Sequence, residues 1–362
     1  MKLGFGLYRH MLNRENYRFA RQCGATRVVV HLVDYTGGSV AAGTNQQPVG
    51  SDSGWGIAGR NADDWSLRNL KRLKQELYDE GLVLEAIENF DPSDWYDVLL
   101  DGPRRAQQME RLKTIVSTVG EVGIPTFGYN FSLAGVASRK TGPFARAGAI
   151  SVAMNGVDTR PLPHGMVWNM VYDESAVAGT PEIEQRAAVS HEELWRRATN
   201  FLKELVPVAE SAGVRLAAHP DDPPAPVVRG TPRLVFQPDM YQRLIDAVPS
   251  HANGLEFCLG TIAEMTEGNV YEAVDRYSRG GNIAYIHFRN VRGKVPEYHE
   301  TFIDDGDIDM PRVIRILKQN AYQGMLIPDH SPDMNCDAPW HAGMAFAMGY
   351  MRALIQTAGA DQ

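Results

Sequence analysis

The sequence predicts a (β/α)₈ barrel, on three observations. Short apolar, β-rich runs alternate with longer amphipathic ones along the whole chain, eight of each. Gly24, Gly81, Gly123, Gly213 and Gly324 stand just before strand runs, as a helix stop followed by a short connection requires. The long connections follow strands instead of preceding them, which places them together at one face of a barrel. A doubly wound sheet would need a dinucleotide loop. Gly4-Phe5-Gly6 lies inside the first strand run and lacks the third glycine.

Strands are expected at residues 3–7, 27–33, 83–87, 126–131, 214–219, 254–258, 283–287 and 325–328. Helices are expected at 14–22, 64–78, 106–118, 191–211, 238–247, 269–278, 310–318 and 343–355. The fifth strand has the clearest stop. Its apolar run ends at His219, and Pro220-Asp221-Asp222-Pro223-Pro224 follows. Proline fixes its own φ and gives no donor to a sheet ladder, so the strand cannot continue. The long connections are 34–60, rich in glycine, serine and asparagine, then 132–190, with basic Arg139, Lys140 and Arg146, and 288–309. No repeat beyond the strand–helix alternation and no linker divides the chain, so 1–362 reads as one domain.

Composition narrows the function classes. Hydrophobic residues make up 44% and charged residues 22%, enough for a well-buried core. The net charge of −8 leaves no basic stripe for nucleic acid. Cys23, Cys258 and Cys336 cannot make a disulfide framework and fit a reducing, cytoplasmic compartment. The amino terminus lacks the apolar core of a signal peptide, and no stretch approaches a membrane span. Base rates for soluble enzymes favour a homodimer.

The chemistry lies at the carboxyl ends of the last four strands. These end at His219, Cys258, His287 and Asp329-His330. Neighbouring strands are ~5 Å apart, so four such ends can converge on one point. Two imidazoles, a thiolate and a carboxylate suit a divalent ion such as Mn²⁺, Fe²⁺, Co²⁺ or Zn²⁺. Singly, each has a plainer reading: Cys258 as a small buried hydrophobe, His287 as a core histidine, Asp329 as a turn or cap residue. Their coincidence at equivalent positions is what points to a metal. His330, next to a ligand candidate, is read as an acid or base. Glu88 and Asn130 end the third and fourth strands at the same face.

On these residues the chain resembles the mannonate dehydratases, metal-dependent lyases on a xylose-isomerase-like barrel. The resemblance rests on His219-Pro220-Asp221-Asp222-Pro223-Pro224, Phe257-Cys258, the run Ile286 to Gly293, the run Glu300 to Met310, and Pro328-Asp329-His330, in family order. It implies His219, Cys258, His287 and Asp329 as ligands, usually for Mn²⁺, and His330 as a catalytic acid–base residue. It also implies a sugar-acid substrate, D-mannonate, converted to 2-keto-3-deoxy-D-gluconate and water. One departure stands out. The family places an active-site tyrosine shortly before the last helix, where this chain has Pro339-Trp340-His341-Ala342. His341 is therefore the expected second proton-transfer residue. Asn130, Arg139, Asp221, Asp222, Arg289 and Glu88 are the expected substrate contacts. Two other readings compete: a sugar isomerase or epimerase, which would use glutamate ligands such as Glu256, and a metal-binding barrel without turnover.

Overall fold

The computed structural model describes residues 1–35, 62–162, 166–167, 170–171 and 189–360. Eight parallel strands close into a barrel: β1 (Lys2–Leu7), β2 (Arg27–His31), β3 (Val83–Glu88), β4 (Thr126–Tyr129), β5 (Arg215–Ala218), β6 (Asn253–Cys258), β7 (Ile283–His287) and β8 (Met325–Ile327). Each pairs with its neighbour in chain order, and β8 closes on β1 through Lys2↔Met325 and Leu3↔Leu326. The outer helices are α1 (Arg14–Gln22), α2 (Leu67–Asp79), α3 (Arg105–Val122), α4 (His191–Ala212), α5 (Met240–Ala247), α6 (Val270–Arg279), α7 (Met310–Gln319) and α8 (Pro339–Ala360).

Local chemistry sets the boundaries. Ser66 caps α2 by accepting from the Asn69 amide, and Ser190 caps α4 through the Glu193 amide. These hydroxyls satisfy donors that the first helical turn leaves without partners. Gly213 ends α4 at φ +66°, a left-handed turn that a side chain would strain. Most of the core lies between barrel and helices. A smaller cluster, Val29, Ala86, Ala217, Tyr285, Met325 and Ile327, plugs the barrel interior.

Two expectations need correction. The connections after β4 and β7 are not simple loops. Residues Arg139–Gly142, Ser151–Asn155, Glu297–Thr301 and Asn290–Lys294 form one antiparallel sheet, with registers Arg139↔Met154, Tyr298↔Met154 and Asn290↔Thr301. Alternation along its strands turns Arg139, Tyr298 and Glu300 inward while Lys140 and Glu297 face solvent. Strands only five residues long, drawn from two loops some 150 residues apart, carry too weak a period to stand out in sequence. The last helix also begins earlier, at Pro339, so Trp340 and His341 belong to its first turn. The expected loop at 34–60 lies outside the described residues from position 36 onward.

Candidate active site

The barrel mouth holds a cavity that opens to solvent. On one side its wall is Arg139, His219, Asp222, His287, Asp329 and His330; on the other it is Tyr8, His31, Tyr35, Glu88, Asn89 and Asn130. Strand pairing brings the predicted ligands together, since Cys258 and His287 are register partners on β6 and β7.

Among the described residues, two donor groups converge. His219, Cys258 and His287 have ligand atoms all within 4.8 Å of one another, and so do Glu88, Glu256 and His287. Asp329 stands beside the first group, its Oδ2 3.4 Å from His287 Nδ1. The His219 Nδ1 lies 2.6 Å from the Pro220 carbonyl. That contact fixes a proton on Nδ1 and makes Nε2 the nitrogen that an incoming metal would take in place of its proton. Both nitrogens of buried His287 lack an aligned hydrogen bond, although carboxylate oxygens stand 3.1–3.4 Å away. Groups bound ~2.1 Å from a common ion sit at roughly this spacing and aim at the ion rather than at each other. The donor set therefore fits a divalent metal.

Electrostatics agree. Burial opposes ionisation of the Cys258 thiol, but the Arg289 guanidinium and the His219 and His287 imidazoles outweigh it and hold the thiol well below its ordinary value. Burial likewise disfavours the His219 imidazolium, yet Cys258 and Glu256 push that group up to about 9. A thiolate ready to ligate is the result. Asp329 has φ +58°, a left-handed backbone that costs a non-glycine residue on the order of 1–3 kcal/mol and recurs at functional sites.

One layer deeper, Glu256 and Glu88 share the barrel interior with Tyr285, whose hydroxyl donates to Glu88 Oε2 at 3.3 Å. Burial and the Glu88 charge push Glu256 up to about 7. Burial would also raise Glu88, but His31 and His287 prevail and hold it at about 2. Gly128 makes room for this cluster. A Cβ there would fall 2.3 Å from the Tyr285 hydroxyl and 2.4 Å from Glu256 Oε2.

His330 lines the cavity with Nδ1 3.1 Å from Glu300 Oε1 and Nε2 3.4 Å from Asp329 Oδ1. Burial lowers its basicity, but Asp329 and Glu300 overcome that and raise it. Behind it runs a buried charge network. Arg289 reaches Asp222 (2.6 Å), Glu264 (2.8 Å) and Asp329 (3.0 Å), and Arg139 reaches Asp222 (3.1 Å) and Glu300 (3.2 Å).

The expected substrate contacts divide. Asn130, Arg139, Asp222 and Glu88 reach the cavity wall. Asp221 does not: its carboxylate accepts from Arg233 and from the Leu234 and Val235 amides, which fixes the loop after β5. Arg289 is consumed by its carboxylates beneath the wall. His341, the expected second proton-transfer residue, is not among the described residues that line the cavity. On the first turn of α8 its ring packs 4.6 Å from Phe19 and 4.9 Å from Trp340. Tyr8, His31 and Tyr35 were not anticipated as cavity residues. The signal was available, because Tyr8 follows the end of β1 and His31 ends β2, the same strand-end positions that single out the ligands.

Together, a closed parallel barrel and nitrogen, sulfur and oxygen donors at its carboxyl-terminal mouth define a barrel of the xylose-isomerase-like class with donor groups that could hold a metal. A xylose isomerase domain protein from Planctomyces limnophilus shares that fold, with a TM-score of 0.58 at 13% identity over 99% of both chains. The chain belongs to the D-mannonate dehydratase (UxuA) family, a family of hydro-lyases, which it matches over residues 56–359. It is 31% identical to the mannonate dehydratase of Streptococcus pneumoniae (strain 70585) over 278 residues, 74% of each chain. The crystal structure of mannonate dehydratase from Streptococcus suis serotype2 superposes with a TM-score of 0.77 at 25% identity, covering 100% of this chain and 94% of that one.

Proposed function

We propose that this protein dehydrates D-mannonate, or a closely related hexonate, to a 2-keto-3-deoxy acid in the cytoplasm, as a metal-dependent enzyme. The observation that carries this reading is the convergence of His219, Cys258 and His287, with Asp329 beside them, at the mouth of a barrel of this family. These four residues would hold the ion, and Mn²⁺ is the first choice, ahead of Fe²⁺ and Co²⁺. When bound, a divalent cation stabilises the negative charge that builds as the proton beside a carboxylate is removed.

The chain's own residues handle protons and orientation. His330, made more basic by Asp329 and Glu300, takes the proton from C2. Loss of the 3-hydroxyl as water then forms the C2–C3 double bond, and the enol settles to the 2-keto acid. Arg139 faces the substrate carboxylate, while Asn130 and Asp222 take hydroxyls. The first test is direct. Purified protein with Mn²⁺ and D-mannonate should yield a 2-keto-3-deoxy acid in a colour assay. If no hexonate gives one, the dehydratase reading is wrong.

A second reading has one specific support, the carboxylate-rich group of Glu88, Glu256 and His287. Glutamate ligands suit metal-assisted isomerisation or epimerisation of a sugar. A ketose that changes configuration, with every hexonate left intact, would favour it.

A further inference from the structure

Dehydration moves two protons. One leaves C2, and one must reach the departing 3-hydroxyl, because hydroxide is a poor leaving group. His330 accounts for the first, and His341 is not among the described residues that line the cavity. Resting on the dehydratase reading, we propose that Tyr8 is the catalytic acid that protonates the leaving hydroxyl.

Four observations carry the assignment. Tyr8 stands one residue past the end of β1 and lines the cavity together with His330. β1 pairs with β8, and His330 follows three residues after the end of β8, so closure of the barrel brings the segments that carry the two groups to the same part of the mouth. The Tyr8 ring is fixed by a parallel stack on His31 at 4.4 Å and 15°, and by an edge contact to Tyr35 at 6.1 Å. His31 is itself held, with Nδ1 3.1 Å from the Tyr35 hydroxyl and Nε2 3.4 Å from Glu88. Finally, Tyr8 is 8% exposed and lines the cavity, and no hydrogen bond within the described protein occupies its hydroxyl. A rigid phenol with a free donor beside the reacting centre is what proton delivery requires. Burial, reinforced by the Asp329 and Glu88 carboxylates, keeps that phenol protonated.

The step balances. The C2–H bond breaks toward His330, and its electron pair forms the C2–C3 double bond. The C3–O bond breaks, its pair stays on oxygen, and the Tyr8 proton completes water. The enol then gives up its hydroxyl proton and takes one at C3. Transfer of the proton on His330 to the Tyr8 phenolate through solvent restores the enzyme.

The test separates acid catalysis from a structural role by changing the leaving group. On D-mannonate, Tyr8→Phe should lower kcat by ~10²–10⁴-fold with KM and metal content unchanged. With 3-deoxy-3-fluoro-D-mannonate, where fluoride leaves without a full proton transfer, the variant should run within about tenfold of wild type. Equal losses on both substrates, or full activity on D-mannonate, would overturn the proposal. A second measurement covers a variant that fails to fold. In crystals of His330→Asn with D-mannonate, the Tyr8 oxygen should lie within hydrogen-bond distance of the 3-hydroxyl, and an oxygen turned away from it contradicts the assignment. Wild-type protein that dehydrates no hexonate would sink the parent reading and this one with it. A working wild type beside an unimpaired Tyr8→Phe sinks this one alone.

Discussion

The two halves of the barrel mouth are built from different chemistry. The half made by β5–β8 carries His219, Cys258, His287, Asp329 and His330, with Asp222, Arg289 and Glu300 wedged among them. The half made by β1–β4 presents Tyr8, His31, Tyr35, Asn89 and Asn130, with Glu88 as its carboxylate among the described cavity residues. Charge and metal donors crowd one side, while aromatic and neutral polar groups line the other. The difference suits a substrate with an anionic reacting end and an uncharged polyol tail. It also separates two kinds of rigidity: ion pairs on one side and ring stacking on the other.

Substitutions across the two halves should therefore differ in kind. The largest effect is expected at His287, which both donor groups share. His287→Ala should lose bound metal and cut turnover by more than the ~10–100-fold seen for residues that only support ligands. Metal analysis and kinetics on one preparation check this, and full metal content in the variant would remove His287 from the site. His330→Asn comes next, with kcat down ~10²–10⁴-fold and metal retained. Loss of the metal as well would make His330 a ligand support instead of an acid–base group.

Arg289→Met should affect stability rather than chemistry first. It strands Glu264 without its buried cation and leaves Asp222 with Arg139 alone, at a cost of about 3–5 kcal/mol in urea unfolding. A smaller cost would mean that water enters the network. The acid limb of stability provides the next comparison. Burial would raise Asp222, but Arg139 and Arg289 outweigh it and hold its carboxyl at about 2. A depressed carboxyl contributes stability above its unfolded value of ~3.9 and loses it as pH falls toward 2, about 2–3 kcal/mol in all. Asp222→Asn should flatten the stability curve across that window. The smallest effect belongs to His341→Asn, expected to leave kcat within about threefold, under ~0.7 kcal/mol of barrier. A large loss there would return His341 to the chemistry.

The barrel was legible because every strand run and every amphipathic helix repeats one local pattern, and the predicted bounds fall within a few residues of those observed. The metal half of the mouth was legible for a related reason. Histidine, cysteine and aspartate at successive strand ends are conspicuous residue types in equivalent places. On the other half Glu88 and Asn130 were legible as strand-end residues, but Tyr8 was not, because tyrosine at a strand end reads as core, and Tyr8 is indeed mostly buried. His341 misled because the break in the family pattern was judged by position in the chain. The helix it sits on starts four residues earlier than its periodicity indicated, and this turns the ring onto Phe19. Arg139 and Glu300 meet only through a sheet assembled from two distant loops, a contact that no local pattern encodes.

Crystals grown with Mn²⁺ and read by anomalous scattering test the metal assignment most directly. A single peak within coordination distance of Cys258 Sγ, His219 Nε2 and His287 is the expected result. A peak between Glu88 and Glu256, with none beside Cys258, would contradict it.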